Sequence, residues 1–241
     1  MDTTTAITKP VSPPPAALWE DFVDIFFAPR SVFERRADGR FWVPLLVLVV
    51  VLAGLFYASL GALGTAYDAE FQRGLDQAAD AGQEVSVEQV DQIRGMSSIF
   101  GTLSLLVAVP VGVLLIGVLI WGVGKLFDAT TTLALAIVIS TYAQFPKVLQ
   151  NLVNIVQGLL FDPRSIAAVS LSPARFLDPA ETSQVVMILL GRLDLFVIWT
   201  TILVAIGLQV LGRVPRTSAY LAAFLVWLLA GVPLVLAAVM A

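Results

Sequence analysis

The 241 residues are 58% apolar and 13% charged, with a mean hydropathy of +0.89. A water-soluble domain runs nearer about 45–50% apolar and about 25% charged, so these few charges do not cover a water-facing surface and the chain reads as an integral membrane protein. There is no His and no Cys, which excludes thiol nucleophiles, disulfides, Cys/His zinc sites, iron–sulfur clusters, His-ligated haem and a His general base, and a net charge of −4 leaves no nucleic-acid footprint.

Residues 1–15 (MDTTTAITKPVSPPP) are polar and Pro-rich and are expected to form a disordered lead. Residues 16–40 follow as an amphipathic interfacial helix. Leu18, Trp19, Phe22, Ile25 and Phe26 recur at helical spacing, and Glu20, Asp21 and Asp24 are expected on the opposite face. Pro29 ends the helix, and a basic cluster of Arg35, Arg36 and Arg40 precedes the first apolar stretch. Two placements fit this segment: aromatics at headgroup level, or packing against the protein's own bundle. The first apolar stretch is too long for a signal-peptide core, so no cleaved leader is expected.

A spanning helix needs about 20 mostly apolar residues. Five stretches qualify: Phe41 to Leu63, roughly Ser98 to Val123, a third from near Ala129 to Phe145, Leu195 to Leu211, and Ser218 to Met240. The fold class is therefore all-α, a polytopic membrane bundle of five transmembrane helices over residues 41–241. The acidic loop 65–97 is expected to fold as a helical hairpin on the outer face, stopped at Gly82 and restarted by a Ser86–Gln89 capping box. It reads as a solvated face; a negatively charged partner-binding surface is the alternative. Eight Lys and Arg residues fall on the N-terminal side of the spans (Lys9, Arg30, Arg35, Arg36, Arg40, Lys125, Arg213, Arg216) and four on the other (Arg73, Arg94, Arg164, Arg175). That asymmetry predicts a cytoplasmic N-terminus and an external C-terminus. Pro110, Pro146 and Pro233 lie inside apolar stretches and are expected to kink them.

The residues most able to carry chemistry follow Phe145. Gln144, Lys147, Asn151 and Asn154 fall at i, i+3, i+7 and i+10, a polar stripe about three turns long on one helix. A Lys within hydrocarbon is costly and usually faces a partner or a water-filled cavity; Asp128 and Asp194 are the candidate counter-ions. The functional reading is a polar pathway or groove. Against it stand an interfacial helix with Lys147 snorkelling, and plain helix–helix hydrogen bonding. Asp194 is placed to cap the helix that starts at Leu195, with Arg192 either snorkelling or paired with it. Small residues at Gly54, Ala58 and Ala62, and at Ser104, Ala108 and Gly112, form ridges suited to close helix packing. GVGK at 122–125 is not a phosphate loop, because Leu119 stands where a Gly is required. No nucleophile, base or metal cluster emerges, so no catalytic residue, metal or cofactor is expected. The expected partners are the lipid bilayer and another membrane protein, with a homo-oligomer as a further option.

Three blocks resemble the Yip (Ypt-interacting protein) domain family in its bacterial form. They are FFAPRSVFERRADGRFWVPL, GKLFDATTTLALAIVISTYAQFPKVL and LDLFVIWTTILVAIGLQVLGRVPRTSAYLAA, and the five-span plan agrees. The resemblance covers about residues 18–240 and implies a compact five-helix membrane domain with a cytoplasmic N-terminal region. Eukaryotic relatives act in vesicle traffic and bind small GTPases; some bacterial relatives accompany ABC-type exporters as accessory subunits. The family supplies no catalytic residues to carry over. The long N-terminal domain of the eukaryotic members has no counterpart in these 241 residues, which counts against GTPase binding. The resemblance thus implies a non-enzymatic scaffold or accessory subunit of a membrane assembly, with a transporter or channel-like component built on the Lys147 stripe as the alternative.

Overall fold

The computed structural model describes residues 17–80, 82 and 87–240, with backbone alone at 80, 87–100 and 102. The lead expected over residues 1–15, and Ser86 and the Gln89 side chain of the expected capping box, lie outside the described residues. Among those described, every regular element is a helix. Lipid offers no hydrogen bonds to a backbone, so an apolar chain that crosses it must satisfy its own N–H and C=O groups internally.

The first crossing is α3 (Trp42–Ala62), which follows two short helices, α1 (Leu18–Phe27) and α2 (Pro29–Arg35). Its 21 residues rise about 31 Å, the thickness of the hydrocarbon core. Leu45, Leu48, Val49 and Leu52 face the bundle, while Trp42, Val43, Leu46, Val50 and Tyr57 face outward. After α3 the chain continues as α4 (Gly64–Asp80), anchored by a Ser59–Tyr67 hydroxyl pair at 3.0 Å, and Gly82 beyond it takes φ +77°. The second crossing belongs to α5 (Val87–Lys125), a single helix of 39 residues. Only Leu103–Lys125 is apolar enough to cross, and at about 1.5 Å per residue the helix extends well past the hydrocarbon.

The third crossing runs over Leu133–Phe161 as α6 (Leu133–Ala143) and α7 (Pro146–Phe161). It opens four residues later than expected at Ala129, where the Thr132 side chain accepts from the Leu135 N–H at 3.3 Å. A short turn of helix, α8 (Ile166–Val169), and a 3-10 turn (Pro173–Phe176) follow. The fourth crossing is bent by 53° between α9 (Gln184–Gly191) and α10 (Leu195–Leu211). The last is α11 (Arg216–Met240). Among the described residues four stretches, α3, the apolar part of α5, α6 with α7, and α11, are long and apolar enough to cross, and counting the bent pair as one span gives five. Pro110 and Pro233 sit inside unbroken α5 and α11; only Pro146 marks a break.

The N-terminal segment departs from its expected form. It is two helices that meet at Ala28, and Asp21, expected on the polar face, is fully buried. Phe22 stacks on Phe145 at 5.2 Å between ring centres, Phe26 meets Trp199 edge-on at 5.5 Å, and Ile25 is buried. The segment therefore packs against the bundle. Its outward stripe, Trp19, Val23 and Phe27, is apolar, as suits contact with lipid. Asp21 holds the pair in place: it accepts from Arg35 Nε at 2.9 Å, from Arg36, and from the buried Tyr142 hydroxyl at 3.2 Å. Arg35 also reaches Asp24 at 2.7 Å. Burial, the largest single influence, lowers the pKa of both guanidinium groups, but their hydrogen bonds to Asp21 together with the neighbouring Asp24, Tyr142 and the Asp21 charge hold both above the ordinary value.

Of the expected small-residue ridges only Ala62 lies at a close crossing, where α7 meets α3 at Gly158. Nothing stands within 4 Å of a Cβ placed on Gly54, Gly61 or Gly112, and Ala58 and Ala108 face outward. The close crossings use single glycines instead. A Cβ on Gly117 would stand 2.8 Å from Ile137 Cγ1, one on Gly207 would stand 2.7 Å from Ile139 Cγ2, and one on Gly158 would stand 2.5 Å from the Ala62 carbonyl oxygen.

Candidate functional site

The sequence AQFPK fixes the geometry at the middle of the third crossing. Proline has no N–H and cannot continue the helical ladder. The backbone answers with i→i−3 bonds in place of i→i−4. Gln144 N donates to Thr141 O at 3.2 Å, Phe145 N to Tyr142 O at 3.2 Å, Lys147 N to Gln144 O at 2.9 Å and Val148 N to Phe145 O at 2.9 Å. Before the break, α6 lies tight on α5: Gly117 accepts Ile137, and the Ser140 hydroxyl donates to Val113 O at 2.7 Å. After the break, α7 leaves α5 and packs on α3 at Gly158. The space left behind α5 is the candidate site.

Two clefts meet there. One, of about 400 Å³, lies among Leu52, Phe56, Val109, Gly112, Gln144, Lys147 and Asn151. The other, of about 480 Å³, lies among Ile116, Gln144, Lys147, Arg192, Thr200, Thr201, Val226 and Trp227. Gln144, Lys147 and Ile116 line both. Lys147 stands fourteen residues from either end of Leu133–Phe161, about 21 Å of helix each way.

The structure divides the predicted stripe. Gln144 and Lys147 face both clefts and Asn151 the first, with Asn151 Nδ2 donating to Lys147 O at 2.8 Å. Asn154 turns away: oriented to satisfy its amide, it donates to Gln150 O at 3.2 Å and to Val169 O at 2.9 Å, fastening α7 to the following turn. Gln157 does the same through Val169 O at 2.8 Å. Two buried polar atoms at the site, Gln144 Oε1 and Thr200 Oγ1, have no hydrogen-bond partner.

The counter-ions expected for Lys147 are elsewhere. Asp128 is exposed in the turn after α5, at φ +56°. Asp194 is 2% exposed, and its two oxygens accept from Phe196 N and Leu171 N, both at 2.8 Å. It caps α10 and ties the preceding loop to it, and it does not pair with Arg192. Among the described residues no carboxylate lies within 4 Å of Lys147 or Arg192. Arg192 lies across Trp227 with its guanidinium carbon 4.7 Å from the ring centre, donates to Trp227 O, and fills the space over Gly231. Thr200 and Trp227 were not legible as site residues, because each sits in an apolar run with no polar neighbour at helical spacing. No group of three His, Cys, Asp or Glu side chains able to hold a metal occurs among the described residues.

A family model described as the Yip1 domain matches residues 23–237. The chain belongs to the Yip1 domain family. The membrane protein YknW of Bacillus subtilis (strain 168) is 25% identical to it over 206 residues, covering 84% of this chain and 83% of the relative. No solved structure matches. The match begins two residues after Asp21 and takes in Arg35, Arg36 and Tyr142 of the clasp as well as the whole Lys147 region. The protein is thus a multi-pass membrane protein of the Yip1 domain family, whose helices contact the lipid bilayer.

Proposed function

We propose that this Yip1-domain protein is a non-enzymatic accessory subunit of a membrane assembly, an exporter in a bacterial setting. In this reading the N-terminus is cytoplasmic and the C-terminus outside, as the eight-to-four division of basic residues favours. The observation that carries the accessory role is the outward face of α3. Gly54, Ala58 and Gly61 form a shallow strip beside the exposed Tyr57, with open space over both glycines. Such a strip admits the backbone of another transmembrane helix closely, and the occupant in this reading is a helix of a partner subunit. Gly54→Leu with Ala58→Leu fills the strip without touching the bundle. The double variant should keep its helical content and elution volume while losing a membrane protein that co-purifies with the wild type from gently solubilised membranes. Recovery of the wild type alone, or with nothing but further copies of itself, overturns the reading.

The clefts that meet at Lys147 favour a second reading, a transporter or channel-like component. Under it, vesicles reconstituted with the protein pass ions, and Lys147→Leu abolishes the flux. Vesicles as tight as protein-free ones remove it.

A further inference from the structure

The larger cleft presents two cations and no anion. Lys147 and Arg192 both line it, and none of its lining residues is acidic. Positive charge held inside a membrane protein is costly unless paired or hydrated. Arg192 is partly answered by the Trp227 carbonyl and ring; the Lys147 ammonium has no carboxylate within 4 Å among the described residues. Beside these charges stand Gln144, with 9% exposure and an unpartnered Oε1, and Thr200, whose buried Oγ1 is likewise unpartnered. A threonine hydroxyl can donate, and a glutamine amide can present its N–H₂ in place of its oxygen. Apart from Thr201 and Trp227 the remaining wall is aliphatic, Ile188, Val197, Val204 and Leu234 among it. Two cationic groups, a hydroxyl and an amide line one largely apolar cleft.

We propose that this cleft is a binding site for an anionic amphiphile, a phosphate-bearing headgroup with an apolar tail. The phosphate sits between Lys147 and Arg192, which supply charge-assisted hydrogen bonds, with Thr200 donating to a further oxygen. The first methylenes of the tail lie against the aliphatic wall. Lys147 gives a point charge and Arg192 a fixed fork, so the pair suits a tetrahedral monoanion better than a zwitterion whose own ammonium meets the same positive field. The proposal does not depend on the partner-docking strip, which lies on the outward face of α3, so the two stand or fall separately.

The test is titration of the purified full-length protein, delipidated in a neutral detergent, with three probes read by native mass spectrometry and thermal unfolding. The probes are short-chain phosphatidylglycerol, short-chain phosphatidylcholine and inorganic phosphate. The expected result is one phosphatidylglycerol per chain, bound at least about tenfold more tightly than either other probe. Lys147→Met should weaken it by about tenfold or more and Lys147→Arg should restore it, since a charge-assisted bond is lost and regained. Equal binding of phosphatidylcholine removes the anion requirement and overturns the proposal. Equal binding of inorganic phosphate shows the apolar wall to be idle and overturns the amphiphile. A folded Lys147→Met protein that binds phosphatidylglycerol as the wild type does also overturns it. Should Lys147→Met not fold, the three-probe comparison on the wild type decides alone.

Discussion

Asp21→Asn should release the N-terminal helix pair from the bundle. Asp21 is fully buried and is the shared acceptor for Arg35, Arg36 and Tyr142. Neutralising it leaves two guanidinium groups beside an amide that cannot answer both. Removing one partner of a buried ionic cluster costs about 3–5 kcal/mol, and here the low end applies because the Arg35 side chain is 27% exposed. The loss does not fall on the whole fold evenly. Phe22, Ile25, Phe26 and Phe33 are all held in place by the same clasp, so α1 and α2 come away together. Trypsin is the direct measurement: cleavage after Arg30, Arg35 or Arg36 should accelerate sharply in the variant, while the transmembrane remainder stays intact. An unchanged digestion pattern and unfolding midpoint would sink the idea that Asp21 holds the pair.

The second large effect is at Gly158, tested against Gly54 as a matched control. Both glycines lie within helices, so replacing either by Ala gains helix propensity, about 1 kcal/mol in an aqueous reference. Only one of them meets resistance. A Cβ on Gly158 stands 2.4 Å from Leu63 Cδ2 and 2.5 Å from the Ala62 carbonyl oxygen; one on Gly54 meets nothing within 4 Å. Leu63 is able to swing aside, but the Ala62 carbonyl belongs to the backbone of α3 and does not. Gly158→Ala must therefore part α3 from α7, at a cost of about 1–3 kcal/mol, against a neutral or slightly stabilising Gly54→Ala. Thermal unfolding of the two variants in one detergent gives the comparison. Identical midpoints would show that the α3–α7 crossing is looser than drawn.

These two residues also show where sequence reasoning reaches and where it stops. The crossings are visible in composition because hydrocarbon selects long apolar runs, and Asp194 was readable as a cap because it immediately precedes such a run. Asp21 was misplaced because a 3.6-residue period reports polarity, not partners. Glu20, Asp21 and Asp24 look alike on a helical wheel, and only the arrival of Arg35, Arg36 and Tyr142 from elsewhere makes Asp21 the buried one. The glycines failed for a similar reason. A four-residue spacing marks a face that admits a neighbour, yet Gly54 and Ala58 have none within the chain, while Gly207 and Gly117 each meet one residue of another helix and Gly158 meets Ala62 and Leu63. At the candidate site, Gln144 and Lys147 were found by their spacing. Asn154 belonged to the same stripe and turned out to fasten a loop, and Arg192, read as a snorkelling residue or a partner of Asp194, lies at the break between α9 and α10 against Trp227.

The clasp has a consequence for how the chain is made. Asp21 waits for Tyr142, which lies 121 residues later, and Arg30 hydrogen-bonds Gln209, 179 residues later. Synthesis runs from the N-terminus, so the first helices leave the ribosome long before their docking surface exists. Until the third crossing is threaded, Phe22 lacks Phe145 and Asp21 has only Arg35 and Arg36 for company, and until α10 follows, Phe26 lacks Trp199. The opening segment therefore completes its contacts only once α10 is in place, so the two ends of the message are joined late in assembly.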